Sequence, residues 1–180
     1  MKNNGIRVGK GTIKDLTLER VREVLDYDME TGKLTWKVRM SPRRNAGEEA
    51  GTTSSVHGKV AYRRITIDRI SCGAHRLAWL LVHGVWPRNN IDHIDGNGLN
   101  NRIENLRDAT LFENARNRGP QRNSKSGIKG VYWHVASGRW QAKIQHYGKG
   151  KNLGYYATPE EAREAYCKAA KELHGEFARF

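Results

Sequence analysis

The sequence has little of several things, and each shortage removes a class of protein. Cysteine occurs only as Cys72 and Cys167, with no CxxC pair. That excludes a disulfide framework and a zinc ribbon, and leaves two reduced thiols of the cytoplasmic kind. No apolar run approaches the roughly 18 residues of a membrane-spanning helix. The opening MKNNGIRVGKGTIKD also lacks the apolar stretch of a secretory signal. A soluble chain that stays where it is made, with no membrane partner, is expected. Acid is scarce as well: 19 Asp and Glu stand against 32 Lys and Arg, a formal net charge of +13. Such imbalance exceeds what solubility needs and fits a polyanionic partner, nucleic acid before an anionic membrane. Hydrophobic residues make up 37% of the chain, but five Trp and seven Tyr can anchor one ordinary core or two small ones.

What is present divides along the chain. Residues 1–14 read as a polar, flexible tail. TLERVREVL (17–25) reads as a helix capped by Thr17, with Leu18, Val21, Val24 and Leu25 on one face. A turn at Thr31-Gly32 leads to a strand ending near Trp36. Residues 40–58 show no periodicity and read as loop. Tyr62, Ile65 and Ile67 mark a strand closed by a turn at Asp68-Arg69. GAHRLAWLLVHG (73–84) predicts a helix with Ala74, Leu77, Ala78, Leu81 and Val82 inward and Gly84 as its stop. His75 and His83 lie on it eight apart, not at the i, i+4 spacing of a helical metal pair, so they are expected to be structural or DNA-facing.

IDHIDGNGLNNRIENLRDATLFENARN (91–117) packs six asparagines and an Asp-His pair into one segment. Asparagine favours turns over helix and strand interiors, so a loop is expected between a strand ending at Asp92-His93 and a return strand at 106–110. Thr110 and Glu113 then form a capping box for a helix carrying Asn114 in its first turn. Asp92 and Asn114 offer hard oxygens suited to Mg²⁺, and His93 can accept a proton near neutral pH. Together with a basic protein that attracts phosphate, these are the parts for phosphodiester hydrolysis.

The pattern IDHIDGN…NNRIENLR…N resembles the HNH nuclease motif in its phage homing-endonuclease form, where Asn replaces the last His. His93 to Asn105 is twelve residues and Asn105 to Asn114 is nine, similar to that family. HRLAWLLVHGVWP upstream resembles the helix leading into the motif. The resemblance implies a ββα-metal site in which Asp92 and Asn114 bind the divalent ion and His93 is the general base. Asn105 would hold the loop and orient the histidine. Asn in place of the final His implies Mg²⁺, with Mn²⁺ as a substitute, rather than Zn²⁺ or Ni²⁺. Arg107 and Arg102 flank the loop, either clamping phosphate or simply solvated. Asn97, Asn100 and Asn101 are expected to serve turns.

GPQRNSKSG (119–127) reads as a basic linker. Between Ala115 and Tyr156 stand nine Lys or Arg and no acid, interleaved with aromatics, an electrostatic footprint for phosphate. Three strand-like stretches precede TPEEAREAYCKAAKELHG, a helix with Thr158 as cap, Pro159 first and Glu161 closing a capping box. Its Ala162, Ala165, Tyr166, Ala169, Ala170 and Leu173 form an apolar stripe. Alternation puts Trp140, Ala142, Ile144 and His146 against that helix and turns Arg139, Gln141, Lys143 and Gln145 outward. Trp133 and Trp140 are expected in the core. From GIKGVYWHV to LGYYATPEEA…GEFA, about fifty residues resemble the AP2 DNA-binding domain, whose sheet enters the major groove. Carried over, the readout positions are Lys129, Tyr132, His134, Lys143, Gln145 and Asn152.

The expected fold is α+β. Residues 15–118 would form a ββα-metal nuclease domain with an N-terminal helix and hairpin, its motif at 70–118. After the linker, residues 128–180 would form the AP2 domain. The resemblance implies a metal-dependent endonuclease on double-stranded DNA, nicking as a monomer with no small-molecule cofactor. If phage-encoded, it would work in the cytoplasm of a bacterial host. The rivals are a non-catalytic DNA-binding regulator and an RNA binder. The second is disfavoured because an A-form major groove is too deep and narrow for a sheet.

Overall fold

The computed structural model describes residues 11–42, 44–56, 59–117, 119–120 and 124–178. Residues 1–10 of the expected tail and 121–123 of the expected linker lie outside them. The chain forms two compact units, Met1–Asp108 and Ala109–Phe180.

In the first unit, Thr17 caps α1 (Leu18–Val24) by accepting from the Arg20 amide, and Val21 and Val24 are buried. Leu25 leaves the helix and opens β1 (Leu25–Tyr27), which pairs antiparallel with β2 (Leu34–Trp36) across the turn at Thr31-Gly32. The segment expected as loop up to residue 58 contains β3 (Thr52–Val56). TTSSV has no polar–apolar alternation because it is a polar edge strand, so its β-branched residues are its only signal. It joins β4 (Lys59–Ile67) and β5 (Ile70–Gly73) in an antiparallel sheet ordered β3-β4-β5. Asp68 and Arg69 both adopt positive φ in the tight β4–β5 turn, and Asp68 is anchored by two bonds from Arg20.

Helix α2 (Ala74–His83) follows without a loop and ends at Gly84. It buries Ala74, Leu77, Ala78 and Leu80. Leu80 thus takes the deep position expected of Val82. One core joins α1, both sheets and α2: Val21, Leu25, Leu34, Trp36, Ile65, Ile67, Leu77 and Leu80 are all in it, with Ile91 and Leu106 at its margin. Those last two belong to β6 (Asn90–His93) and β7 (Leu106–Ala109), a two-stranded sheet whose connecting loop carries the asparagines.

In the second unit, Thr110 caps the short α3 (Leu111–Arg116) with the capping box expected of Thr110 and Glu113. Strands β8 (Val131–His134), β9 (Arg139–His146) and β10 (Lys149–Tyr156) form an antiparallel sheet with β9 central. Helix α4 (Pro159–His174) lies against it, opened by the Thr158–Glu161 capping box with Pro159 first. Ala142 and Ile144 pack on Ala162, Tyr166, Ala169 and Ala170, small residues that let helix and sheet approach closely. Trp140 joins this packing, but Trp133, expected in the core, is 44% exposed and meets the Trp140 ring edge-on. The core is too thin to take both indoles.

Candidate active site

The asparagines of the 94–105 loop are there because the loop hydrogen-bonds to itself. Asp95 is its hub. Its carboxylate accepts from the Asn97 amide at 2.7 Å, from Asn100 Nδ2 at 2.8 Å and from Asn105 Nδ2 at 3.0 Å. Burial pushes the Asp95 carboxyl up, but those bonds prevail and hold it below the usual range. Asn97 Oδ1 accepts from the Leu99 amide, while Asn105 donates to the Asn100 carbonyl and accepts from the Asp95 amide. The backbone closes the loop where the Ile94 amide meets the Asn105 carbonyl at 2.9 Å. Carboxamides suit this task because each both donates and accepts.

The loop therefore presents Asp92 and His93 from a fixed frame. Both are buried, 4% and 5% exposed. Arg107, on the neighbouring strand, donates from Nε at 2.9 Å and Nη2 at 2.7 Å to Asp92 Oδ2. The arginine read as a phosphate clamp is thus engaged with the expected metal ligand, and its side chain is only 12% exposed. His93 Nε2 lies 3.3 Å from Asn101 Oδ1. Its ring centroid is 5.3 Å from that of His75 and 5.7 Å from that of Tyr62, and those two rings stand 5.5 Å apart. Burial drives the His93 imidazole below the ordinary histidine range. Burial, then His93 and the Arg76 and Arg64 charges, take His75 down to about 3. His75 Nδ1 is buried with no hydrogen-bond partner among the described residues. Its ring folds back over Gly73, where a Cβ would come within 2.6 Å.

The structure brings the sequence-predicted Asp92, His93 and Asn105 together and adds three neighbours that local pattern does not point to. In the sequence, Asn101 reads as a turn residue, His75 as structural or DNA-facing, and Tyr62 as a strand marker. Asn105 spends its side chain on the loop, and Asn101 is what meets His93. Asn114 stands in the first turn of α3, in the second unit, with its amide bonded to the Thr110 carbonyl.

The β8–β10 sheet offers a second candidate surface. Register places Tyr132 opposite Gln141, and Gln141 opposite Tyr155, while Lys143 faces Asn152. Gln141 Nε2 donates to Asn152 Oδ1 at 3.2 Å and to the Tyr155 hydroxyl at 3.3 Å. His134 bonds Ser137 at 2.8 Å and lies 4.8 Å from the Tyr155 ring. Tyr132, His134, Lys143, Gln145 and Asn152 are therefore on one outward face, to which Gln141 and Tyr155 belong as well. Lys129 stands before β8 and donates its ammonium to the Arg116 carbonyl at the end of α3.

A two-stranded sheet whose self-bonded loop carries an Asp-His pair, and a three-stranded sheet packed on one helix, are the marks of an HNH endonuclease domain and an AP2 domain. Residues 72–116 match the HNH endonuclease family and residues 126–176 match the AP2 domain, so the chain carries both domains. It is similar to Protein 3.8 of Escherichia phage T7, 36% identical over 107 residues, which is 59% of this chain and 88% of that protein. It is also similar to the uncharacterized HNH endonuclease L560 of Acanthamoeba polyphaga mimivirus, 32% identical over 123 residues, 67% of this chain and 63% of that protein. No solved structure matches. Membership of the family implies DNA nuclease activity, and the AP2 domain implies DNA binding. No helix among the described residues is long and apolar enough to cross a membrane.

Proposed function

We propose that the chain hydrolyses phosphodiester bonds in double-stranded DNA with a divalent metal, nicking one strand as a monomer. The observation that carries this reading is the buried pair Asp92-His93 at the end of β6, held by a loop that bonds to itself. His93 removes a proton from the attacking water. A neutral imidazole is the form that task needs, and burial favours it. Asp92 and Asn114 would hold the metal. Among the described residues no group of three or more His, Cys, Asp or Glu gathers as a cage. An ion drawn by a carboxylate and a carboxamide would take the rest of its shell from water and phosphate, the habit of Mg²⁺, with Mn²⁺ as substitute. Bound there, it would supply positive charge to the phosphate oxygens and the leaving oxygen. Asp92 is already paired with Arg107, which would orient that carboxylate in the metal-free protein. The products would be a 5′-phosphate and a 3′-hydroxyl.

One active site addresses one strand per encounter, so nicks rather than double-strand breaks are expected. The outward face of the β8–β10 sheet would hold the duplex in its major groove, with Tyr132, His134, Lys143, Gln145 and Asn152 as readout residues. Arg107 and Lys129 would contribute phosphate contacts when DNA displaces their internal partners. Resemblance to phage homing enzymes supports a free-standing or intron-borne homing role. A non-catalytic regulator is the second reading, favoured by the Arg107 ion pair already occupying Asp92 Oδ2. The test follows supercoiled DNA with Mg²⁺, with EDTA and with His93→Ala, scoring nicks and gel shift together. Mg²⁺-dependent nicks should vanish with the variant while binding persists. Binding without nicks in any metal would establish the regulator instead.

A further inference from the structure

The hairpin at residues 25–36 has no part in the nuclease motif, yet it touches the loop that carries it at two points. The Tyr27 hydroxyl donates to the Asn101 carbonyl at 2.8 Å. At the hairpin tip, Gly32 sits at positive φ flush against the same segment. A Cβ there would lie 2.5 Å from the Arg102 nitrogen and 2.7 Å from the Asn101 carbonyl carbon. The tip itself is stiff: Asp28 accepts from the Glu30 and Thr31 amides and the Thr31 hydroxyl, and its carbonyl takes the Gly32 amide.

Asn101 transmits that stiffness. It is 3% exposed, and its Nδ2 is committed to the Leu99 carbonyl at 3.3 Å, which turns Oδ1 toward His93. An amide oxygen only accepts, so the His93 Nε2 facing it must carry the hydrogen. Nδ1 is then the nitrogen with the lone pair. Which nitrogen of a histidine acts as base is set by what holds the other.

We propose that Asn101 is the positioning residue for His93, fixing its Nε2–H tautomer and ring orientation, and that the N-terminal hairpin acts through Tyr27 to hold Asn101. The proposal rests on the reading of His93 as general base. A buried asparagine satisfied inside a loop would matter only for stability. A positioning residue matters for turnover and for the state of the imidazole.

The experiment uses the full chain as wild type, Asn101→Leu, Tyr27→Phe and the double variant. Nicking of supercoiled DNA gives kcat and KM at saturating Mg²⁺, thermal melting reports folding, and ¹⁵N NMR in EDTA reports the His93 tautomer. Asn101→Leu should lower kcat about 30- to 100-fold and Tyr27→Phe about 5- to 10-fold, with KM within roughly 3-fold, as misplacing a reacting group does. Because both act on one relay, the double variant should match Asn101→Leu within about 2-fold. The wild-type His93 should show a single Nε2–H tautomer that becomes mixed in either variant. Multiplying effects in the double variant, full turnover in Asn101→Leu, or an unchanged tautomer in both single variants would overturn the proposal. Should Asn101→Leu fail to fold, Tyr27→Phe alone decides through its kcat and its NMR spectrum. A wild type that never nicks removes His93 as base, and the tautomer signals still settle whether Asn101 positions it.

Discussion

His75 shows how a side chain outside the motif can shape its chemistry. Its nitrogen is buried without a partner among the described residues, and its ring walls one side of His93. With a folded pKa near 3 against 6.5 for an ordinary histidine, the folded state resists a proton that the unfolded state accepts. Its contribution is therefore complete above about pH 6.5 and is lost as pH falls from there toward 3. Melting temperature should fall between pH 7 and 4, and His75→Phe should flatten that fall by an amount worth roughly 1–3 kcal/mol. An equal slope in the variant would show that other groups set it. Arg107→Ala leaves the Asp92 carboxylate buried without its guanidinium and should cost about 3 kcal/mol in a denaturant titration without metal. A change within error would mean that the pair contributes nothing. At this scale the sequence was half legible. Asp92, His93, Asn105 and Asn114 stand at readable spacings along one segment. Tyr27 and Tyr62 reach the same site from 74 and 31 residues away, and no local pattern announces contacts that only the tertiary fold makes.

Elements were legible where capping chemistry or long periodicity marks them. TPEEA declares the start of α4, and Thr110 with Glu113 declares α3, because orphan amides at a helix start need such partners. Strands β3 and β5 were illegible for a common reason. TTSSV is four polar residues and one Val, and ISCG has only four residues before α2 begins, so neither builds a period. One position controls how the β8–β10 sheet meets its helix. Gly130, at positive φ, leaves no room for a Cβ, which would lie 2.2 Å from the Tyr166 ring. Gly130→Ala should destabilise the second unit by about 2–4 kcal/mol, combining backbone strain with overpacking. Gel shift should weaken in step with that unfolding. Binding that survives loss of the near-UV Trp and Tyr signal would detach DNA affinity from this sheet.

For the molecule as a whole, the +13 charge predicts association that weakens steeply with salt, since each neutralised phosphate releases counterions. Lys129→Gln should reduce the slope of log K against log salt by about 1 without changing the nicking rate at saturating enzyme. An unchanged slope would place Lys129 away from phosphate. The bond from Tyr27 to Asn101 has its own consequence for how activity is born. It ties together chain positions 74 residues apart, and the entropy of closing so long a loop makes such contacts late in folding. A chain emerging from the ribosome, or half melted by heat, would carry every letter of its motif with a slack imidazole. On the proposed roles of Tyr27, Asn101 and His93, cutting would wait for that contact to close.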